Sequence, residues 1–416
     1  MKTIRMIQTA ALLTLGISLT SHGDGFRNPP ESAAAIGKIG GTYAWMVDAS
    51  AAARNPANLA SMTQTMVSAS LTMGYGKKEF TMMDGAKAES ENPWGYLPSL
   101  FAVVPLEGGK WTAGFALTTP YGRSTEFPTD SPLRYASPYF TELRSMDFHP
   151  SLATKINETL SIGVGVHVLW SDLSIKQIYP WGAALGAPGL PDGTATLDGD
   201  GYGIAGSLAL TWDLAEGQRL ALTYRTQTQV DYEGDTRLSN IPPPAAGLAA
   251  STSDFDTEIT YPSVIALAYG IKVNEKVRVE ANIEWIEHSQ FEQLQLDAGR
   301  NTPLLPQSTV AADWEDNFTY GIGAEWDVTD AWTLRAGYLY LETPIPSSTM
   351  IPTIAEEDQS VVSVGCGYTQ GPHQIDLAYA IGLFDGRNVR DNVNPAYNGD
   401  YDFESHLISL SYGYTF

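Results

Sequence analysis

Tight turns and long connections alternate along this chain, and few architectures tolerate that rhythm. Pairs such as Asn157-Glu158, Asn274-Glu275, Thr329-Asp330 and Gly371-Pro372 take turns with connections of roughly a dozen to two dozen residues. The segments they join alternate apolar and polar side chains. Ile162, Val164, Val166, Val168 and Trp170 fall opposite Ser161, Gly163, Gly165 and His167. Period two places successive side chains on opposite faces of a strand, so each segment suits lipid on one side and water on the other. Fourteen such strands are expected, at 66–76, 94–106, 111–119, 143–156, 159–176, 200–213, 219–232, 256–273, 276–291, 315–328, 331–342, 359–370, 373–384 and 404–416. The even number lets an antiparallel sheet close on itself, and Arg278, Glu280, Asn282 and Glu284 on one strand read as a water-facing interior. The fold class is therefore all-β, a 14-stranded antiparallel transmembrane β-barrel.

The two ends of the chain agree with that class. Ile408, Leu410, Tyr412, Tyr414 and Phe416 share one face of the last strand, opposite Leu407, Ser409, Ser411, Gly413 and Thr415. A terminal strand that ends on Phe resembles the carboxyl-terminal signal of bacterial outer-membrane barrels. Lys2 and Arg5 precede an apolar run from Ala10 to Leu19 and the small residues Ser21-His22-Gly23, the pattern of a secretory signal peptide. Residues 1–23 are thus read as a leader, 24–65 as a small plug rich in Ala and Gly, and 66–416 as the barrel.

Composition excludes several functions. One cysteine, Cys366, leaves an exported chain without internal disulfides, and a net charge of −23 argues against nucleic acid as a partner. The 39 Gly, 21 Tyr and 10 Trp with only 17% charged residues favour turns and interfacial aromatic girdles. The six histidines have no zinc-ligand spacing, and Gly201–Gly206 matches a dinucleotide fingerprint by letter but sits inside an alternating strand with no helix after it. Neither a metal nor another cofactor is expected, and no catalytic residues are singled out.

Short motifs recur in order along the chain: Asp24-Gly25-Phe26, Asp48-Ala49-Ser50, Arg54-Asn55-Pro56-Ala57, Tyr121–Phe127, Pro150–Ala153, Leu220–Arg225, Trp332–Gly337 and Thr343–Pro346. Together they resemble the FadL family of outer-membrane transporters for long-chain fatty acids and aromatic hydrocarbons. The resemblance implies a monomeric channel in the bacterial outer membrane with an amino-terminal hatch inside the barrel. A hydrophobic small molecule would be caught by extracellular loops, pass to a tighter site and leave sideways into the membrane lipid at a kinked third strand. The resemblance also gives roles to residues. Asn55, Pro56 and Ala57 match the hatch triplet, Phe26 an aromatic that reaches the ligand, Gly122 the kink glycine, and Thr119 a neighbour of the side opening.

Physical readings accompany those roles. Pro120 lacks the backbone donor and Gly122 permits a close bend, so the third strand either kinks here or simply ends. The apolar loops 178–190 and 241–248 expose Tyr179, Trp181, Leu185 and Leu190 either as a capture groove or as packing that caps the barrel. Head-group recognition stays open. Glu315 stands where fatty-acid members are expected to carry Lys, and Lys176, Arg123, Arg225 and Arg335 are the candidate counter-ions, so a neutral hydrocarbon is as acceptable a ligand as a fatty acid. A porin-like or structural barrel without a lipophilic substrate is the alternative.

Overall fold

The computed structural model describes residues 24–106, 108–305 and 309–416; the expected leader lies outside them. Among the described residues, fourteen antiparallel strands build the wall. They are β1 (Met66–Met82), β2 (Trp94–Pro105), β3 in two pieces (Trp111–Thr118 and Gly122–Glu126), β4 (Phe140–Lys155), β5 (Leu160–Tyr179) and β6 (Gly193–Ala215). Next come β7 in two pieces (Gln218–Arg225 and Thr228–Leu238), β8 in two pieces (Thr252–Tyr261 and Val264–Lys272), β9 (Val277–Ile286) and β10 (Asn317–Asp327). The last four are β11 (Trp332–Leu341), β12 (Gln359–Gln370), β13 (His373–Leu383) and β14 (Gly399–Thr415). Each strand pairs with the next, and β1 pairs with β14 from Met66↔Thr415 to Met82↔Gly399, so the sheet closes without a free edge.

Alternation decides which face meets lipid. Val364, Leu377 and Leu410 stand outward and are about half exposed, whereas Ser363, Ser409 and Ser411 between them point inward and are buried. Trp212, Trp326, Trp332 and Tyr412 gather outside near the tight-turn end, while Trp94, Tyr96 and Tyr202 mark the other border, as expected of two interfacial girdles.

Some strands run further toward the loop end than hydropathy indicates. β1 continues to Met82, β6 begins at Gly193, β7 reaches Leu238 and β14 begins at Gly399. The added residues carry outward charge that reads as loop. Glu233 of β7 lies opposite Asp200 of β6 and Asp256 of β8, a row of like charges that only water tolerates. The hydrocarbon border on this side of the barrel therefore falls between Asp200 and Tyr202.

The chain before β1 fills the turn end of the lumen. It forms helices α1 (Ala33–Gly37) and α2 (Ala51–Arg54) and a 3-10 turn at Pro56–Ser61. Ser32 caps α1 by accepting from Ala35 N. Wall and segment meet through glycines. Gly40 has φ +87°, which favours a residue without Cβ, and a Cβ there would press within 2.6 Å of Ile322 N and 2.7 Å of Gly321 Cα. Gly41 lies equally close on Gly323, and Gly37 on Gly365. Polar groups complete the seat. Glu280 of β9 accepts from the Tyr43 and Trp45 amides at 2.6 and 3.0 Å, and Glu284 takes Arg27 at 2.6 Å and the Tyr43 hydroxyl at 2.9 Å.

Candidate functional site

Above this segment, between the upper wall and the long loops, lies a cavity of about 360 Å³. Leu143, Leu173, Ile175, Leu197 and Ile259 line it from the strands, and Leu296 and Ile354 from the loops. Inward positions that are serine or glycine lower in the barrel, where the amino-terminal segment packs, are leucine and isoleucine here, which is why the chamber above it is apolar.

Aromatic rings form its floor. Phe26 lies 4.6 Å from Trp314, 5.3 Å from Phe291 and 6.1 Å from Tyr261, ring centre to ring centre. Tyr121 stacks on Tyr261 at 4.4 Å, and the Tyr261 hydroxyl is joined to Tyr232 and Ser171 at 2.8 Å. These side chains come from opposite walls, so the floor spans the lumen.

The floor is tied to a break in the wall. The ladder between β2 and β3 runs from Pro105↔Thr112 to Leu100↔Leu117 and stops; above it, Trp94–Ser99 of β2 pair with β1 alone. β3 resumes at Gly122, one residue out of register, against β4, and on its other side Glu126 makes an isolated bridge to Glu91 before β2. Two prolines account for the gap. Continued in register, Pro98 of β2 would face Thr119, and neither Pro98 nor Pro120 has an N–H to give. The backbone groups set free bond to the amino-terminal segment instead. Asn28 N reaches Pro120 O at 2.9 Å, Gly122 N reaches Phe26 O at 2.9 Å, and Asn28 Nδ2 reaches Thr119 O at 2.8 Å. The third strand therefore kinks inward and does not end at Pro120. Thr119, Pro120 and Gly122 sit together at this gap with Phe26 beside them.

Asn55, Pro56 and Ala57 lie at the turn end. Asn55 Nδ2 bonds to Tyr43 O at 2.8 Å and to Thr211 of β6 at 3.0 Å, while its Oδ1 accepts from Ala57 N at 3.0 Å. Pro56 opens the 3-10 turn, and Gly163 of β5 admits it: a Cβ there would stand 2.5 Å from Ala57 N. This turn packs against β3, β4, β5 and β6, and Pro56 shares the lining of one small chamber with Pro120 and Tyr121.

The loop residues fall elsewhere. Tyr179 and Trp181 are buried against each other, with ring centres 4.5 Å apart, and pack with Leu238 and Ala245; Leu185 and Leu190 cover that cluster. None of the four lines the cavity, so here the loops cap the barrel. Of the candidate counter-ions, Arg123 lines the cavity and the other three do not. Arg123 is buried against Glu356 at 2.7 Å, Arg335 is held by Glu325 and Asp376 at 2.6 Å each, and Lys176 rests over the Phe140 ring. Arg225 reaches only Asp147, at 3.4 Å, as an ion pair. Glu315 is exposed on a loop beside the buried Trp314.

Glu356, Tyr261 and Trp314 matter to the site and were not singled out from the sequence. Glu356 belongs to an acidic run, Glu356-Glu357-Asp358, that reads as a solvated loop, yet it is fully buried and accepts from Gly25 N at 3.1 Å and Thr343 Oγ1 at 2.7 Å.

His288, in the loop after β9, backs the floor. Its Nδ1 is 2.7 Å from Asn317 Oδ1, and burial drives its pKa from 6.5 down to about 3. The folded state thus keeps the ring neutral while the unfolded chain protonates it. Stability is full above pH 6.5 and is lost as pH falls between the two values. At about pH 4.5 the loss is roughly 3 kcal/mol. Thermal unfolding at neutral and acid pH is expected to show a smaller acid penalty in His288→Gln than in wild type; equal penalties would mean that the imidazole contributes none of it.

Comparisons with known proteins agree with the architecture. The family model described as outer membrane protein transport protein (OMPP1/FadL/TodX) matches residues 15–416. The chain is 23% identical over 455 residues to the long-chain fatty acid transport protein of Escherichia coli O157:H7, covering 100% of this chain and 99% of that protein. It is 24% identical over 406 residues to a 47 kDa outer membrane protein of Pasteurella multocida, covering 91% and 92%. Among solved structures, a Pseudomonas aeruginosa FadL homologue superimposes with a TM-score of 0.83 at 21% identity, covering 94% of this chain and 99% of that one. The toluene transporter TodX of P. putida gives 0.72 at 21% identity, covering 93% and 99%. The chain belongs to the OMPP1/FadL/TodX family of outer-membrane transport proteins.

Proposed function

We propose that the protein takes hydrophobic small molecules, long-chain fatty acids or aromatic and aliphatic hydrocarbons, from outside the cell and releases them sideways into the outer membrane between β2 and β3. The observation that carries this reading is the bonding of the apolar cavity's floor to the kinked strand. Residues 26–28 supply both the Phe26 side of the floor and the partners at the break: the backbone of Phe26 and Asn28 bonds to Gly122 and Pro120, and the Asn28 side chain to Thr119. A ligand that pushes Phe26 aside therefore pulls on the same residues that border the gap. Burying an alkyl chain gains up to roughly 0.8 kcal/mol per methylene, so apolar contact supplies most of the affinity. The route uses no bond chemistry and no cofactor, and each barrel acts alone with residues 24–65 as its hatch. That segment also counts against a polar pore, because it occupies the lumen.

The test is uptake of a radiolabelled long-chain fatty acid and, separately, an aromatic hydrocarbon by cells without a transporter of their own. Gly122→Arg puts a bulky chain 3.1 Å from the Asn28 amide at its first atom and obstructs the gap. Hydrocarbon uptake is expected to fall to near background in the folded variant, and fatty-acid uptake to fall as well. Folded wild type that takes up neither ligand would refute the transport reading and favour a structural barrel.

A further inference from the structure

The wall is interrupted a second time, between β6 and β7. Their ladder holds at Ser207↔Arg225 and again at Asp200↔Glu233, but Gly201–Gly206 and Thr226–Tyr232 are not paired. Thr226 alone bridges the lower edge, its N to Gly206 O at 2.9 Å and its Oγ1 from Gly206 N at 3.1 Å. Higher up, β7 leans into the lumen across the face of β6. A Cβ on Gly201 or Gly203 would overlap the carbonyls of Asp231 and Gln229, so the glycines make room for the crossing strand. β8 breaks at the same height, its ladder skipping Pro262 and Ser263. Outside, Tyr202 and Ile204 are 61% and 71% exposed, the barest large apolar side chains of the strands.

A polar chamber of about 90 Å³ reaches this seam from beneath the aromatic floor. Pro120 and Tyr121 bound it on the β3 side; on the other lie Arg225, Leu208 and Tyr224, the last two belonging to the lipid face. Arg225 lies under the Tyr121 ring at 5.3 Å and offers Nη1 to Asp147 at 3.4 Å. Its Nε and Nη2, which share one edge of the guanidinium, are buried without a partner among the described residues. The other charges around the chamber are engaged with one another to a greater degree. Asp147 also takes His167 Nδ1 at 2.7 Å, His149 stacks on His167 at 3.8 Å and meets Ser207, and Arg27 and Arg54 are held by Glu284; Glu31 completes the wall with one oxygen unpartnered. A guanidinium edge with two parallel donors matches the two oxygens of a carboxylate. The chamber has room for a carboxylate head group.

We propose that this chamber is a second side exit: Arg225 takes the carboxylate of a single-chain amphiphile on Nε and Nη2, and the tail leaves between β6 and β7 past Leu208 and Tyr224. The proposal rests on the uptake reading above and adds a route that a neutral hydrocarbon, having no head group, does not use.

Uptake of radiolabelled hexadecanoate and hexadecane, matched in chain length, tests it. Gly206→Trp covers the lipid-side mouth of the seam without a clash, since Gly206 shares the outward face of Tyr202, Ile204 and Leu208 and nothing lies within 4 Å of where its Cβ would stand. Arg225→Gln removes the charge and the fork, and Arg225→Lys removes the fork alone, which keeps the test open if the glutamine variant fails to fold. The ratio of hexadecanoate to hexadecane uptake is expected to fall severalfold in each variant. In Gly122→Arg the ratio is expected to rise, because part of the hexadecanoate uptake survives, and adding Gly206→Trp to it removes that remainder. Ratios at the wild-type value in folded Gly206→Trp and Arg225 variants would overturn the second exit while leaving the first intact. Wild type that imports neither probe would refute the uptake reading itself.

Discussion

A Gly323→Leu barrel is expected to insert and close, yet to leak small ions and admit bulky antibiotics that the wild type excludes. Gly323 of β10 lies against the backbone of the amino-terminal segment, where a Cβ would stand 2.5 Å from Lys38 O and 2.8 Å from Gly41 Cα. Neither neighbour is the far end of a flexible side chain, so the segment must move. Overpacking in a close-fitted interior costs about 1–3 kcal/mol even where side chains yield. Displacement also breaks the contact of Lys38 with the wall, 3.9 Å to Glu325, and leaves Glu325 to Arg278 and Arg335. Conductance in planar bilayers reads the result directly. A folded variant with wild-type conductance would show that the lumen is sealed by something other than this seat.

Glu356→Ala should have the other large effect, on the ligand cavity. Arg123 is 2% exposed, and removing its carboxylate leaves a buried cation beside Lys78, which is itself buried with only Thr125 and the Thr353 carbonyl as partners. Breaking a buried pair from one side costs about 3–5 kcal/mol. The loss falls on the elements the pair joins: β3, the loop around Pro352–Ile354 and, through Gly25, the residues that place Phe26. Hydrogen exchange at residues 25–28 is expected to accelerate strongly in Glu356→Ala and less in Glu356→Gln, whose amide still accepts from Gly25. Wild-type protection in the alanine variant would mean that the pair does not hold the segment.

The barrel was legible because lipid enforces alternation. Outward positions within the hydrocarbon, such as Val164 and Leu410, are apolar, and each tight turn announced itself with Asn, Asp or Gly. Legibility stopped where lipid stopped. Asp198, Asp231 and Glu233 stand outward in water, so no hydropathy signal marked the upper ends of β6 and β7. The kink was half visible: Pro120 and Gly122 drew notice, whereas Pro98, which breaks the facing edge, looked like any strand residue. Trp181 and Tyr179 are apolar for a reason that sequence does not distinguish, since burial in a cap and display to a ligand demand the same side chains. Gly201–Gly206 carried a pattern whose meaning is purely spatial, room for a neighbouring strand.

The first and last strands of the wall are partners, seventeen residues of β1 laid against seventeen of β14. This seam joins residues some three hundred positions apart, so it is the last that a growing chain is able to make, and long-range pairing of this kind is slow. Everything meant for the interior must be in place beforehand. Residues 24–62 precede every strand, and they touch both early and late ones: Ala57 meets Gly163 of β5, while Gly37, Gly40 and Gly41 meet β10, β11 and β12. Their seat is complete only when the late strands are in place, so they are carried inside as the cylinder is sealed. Assembly order therefore decides whether a given molecule is plugged.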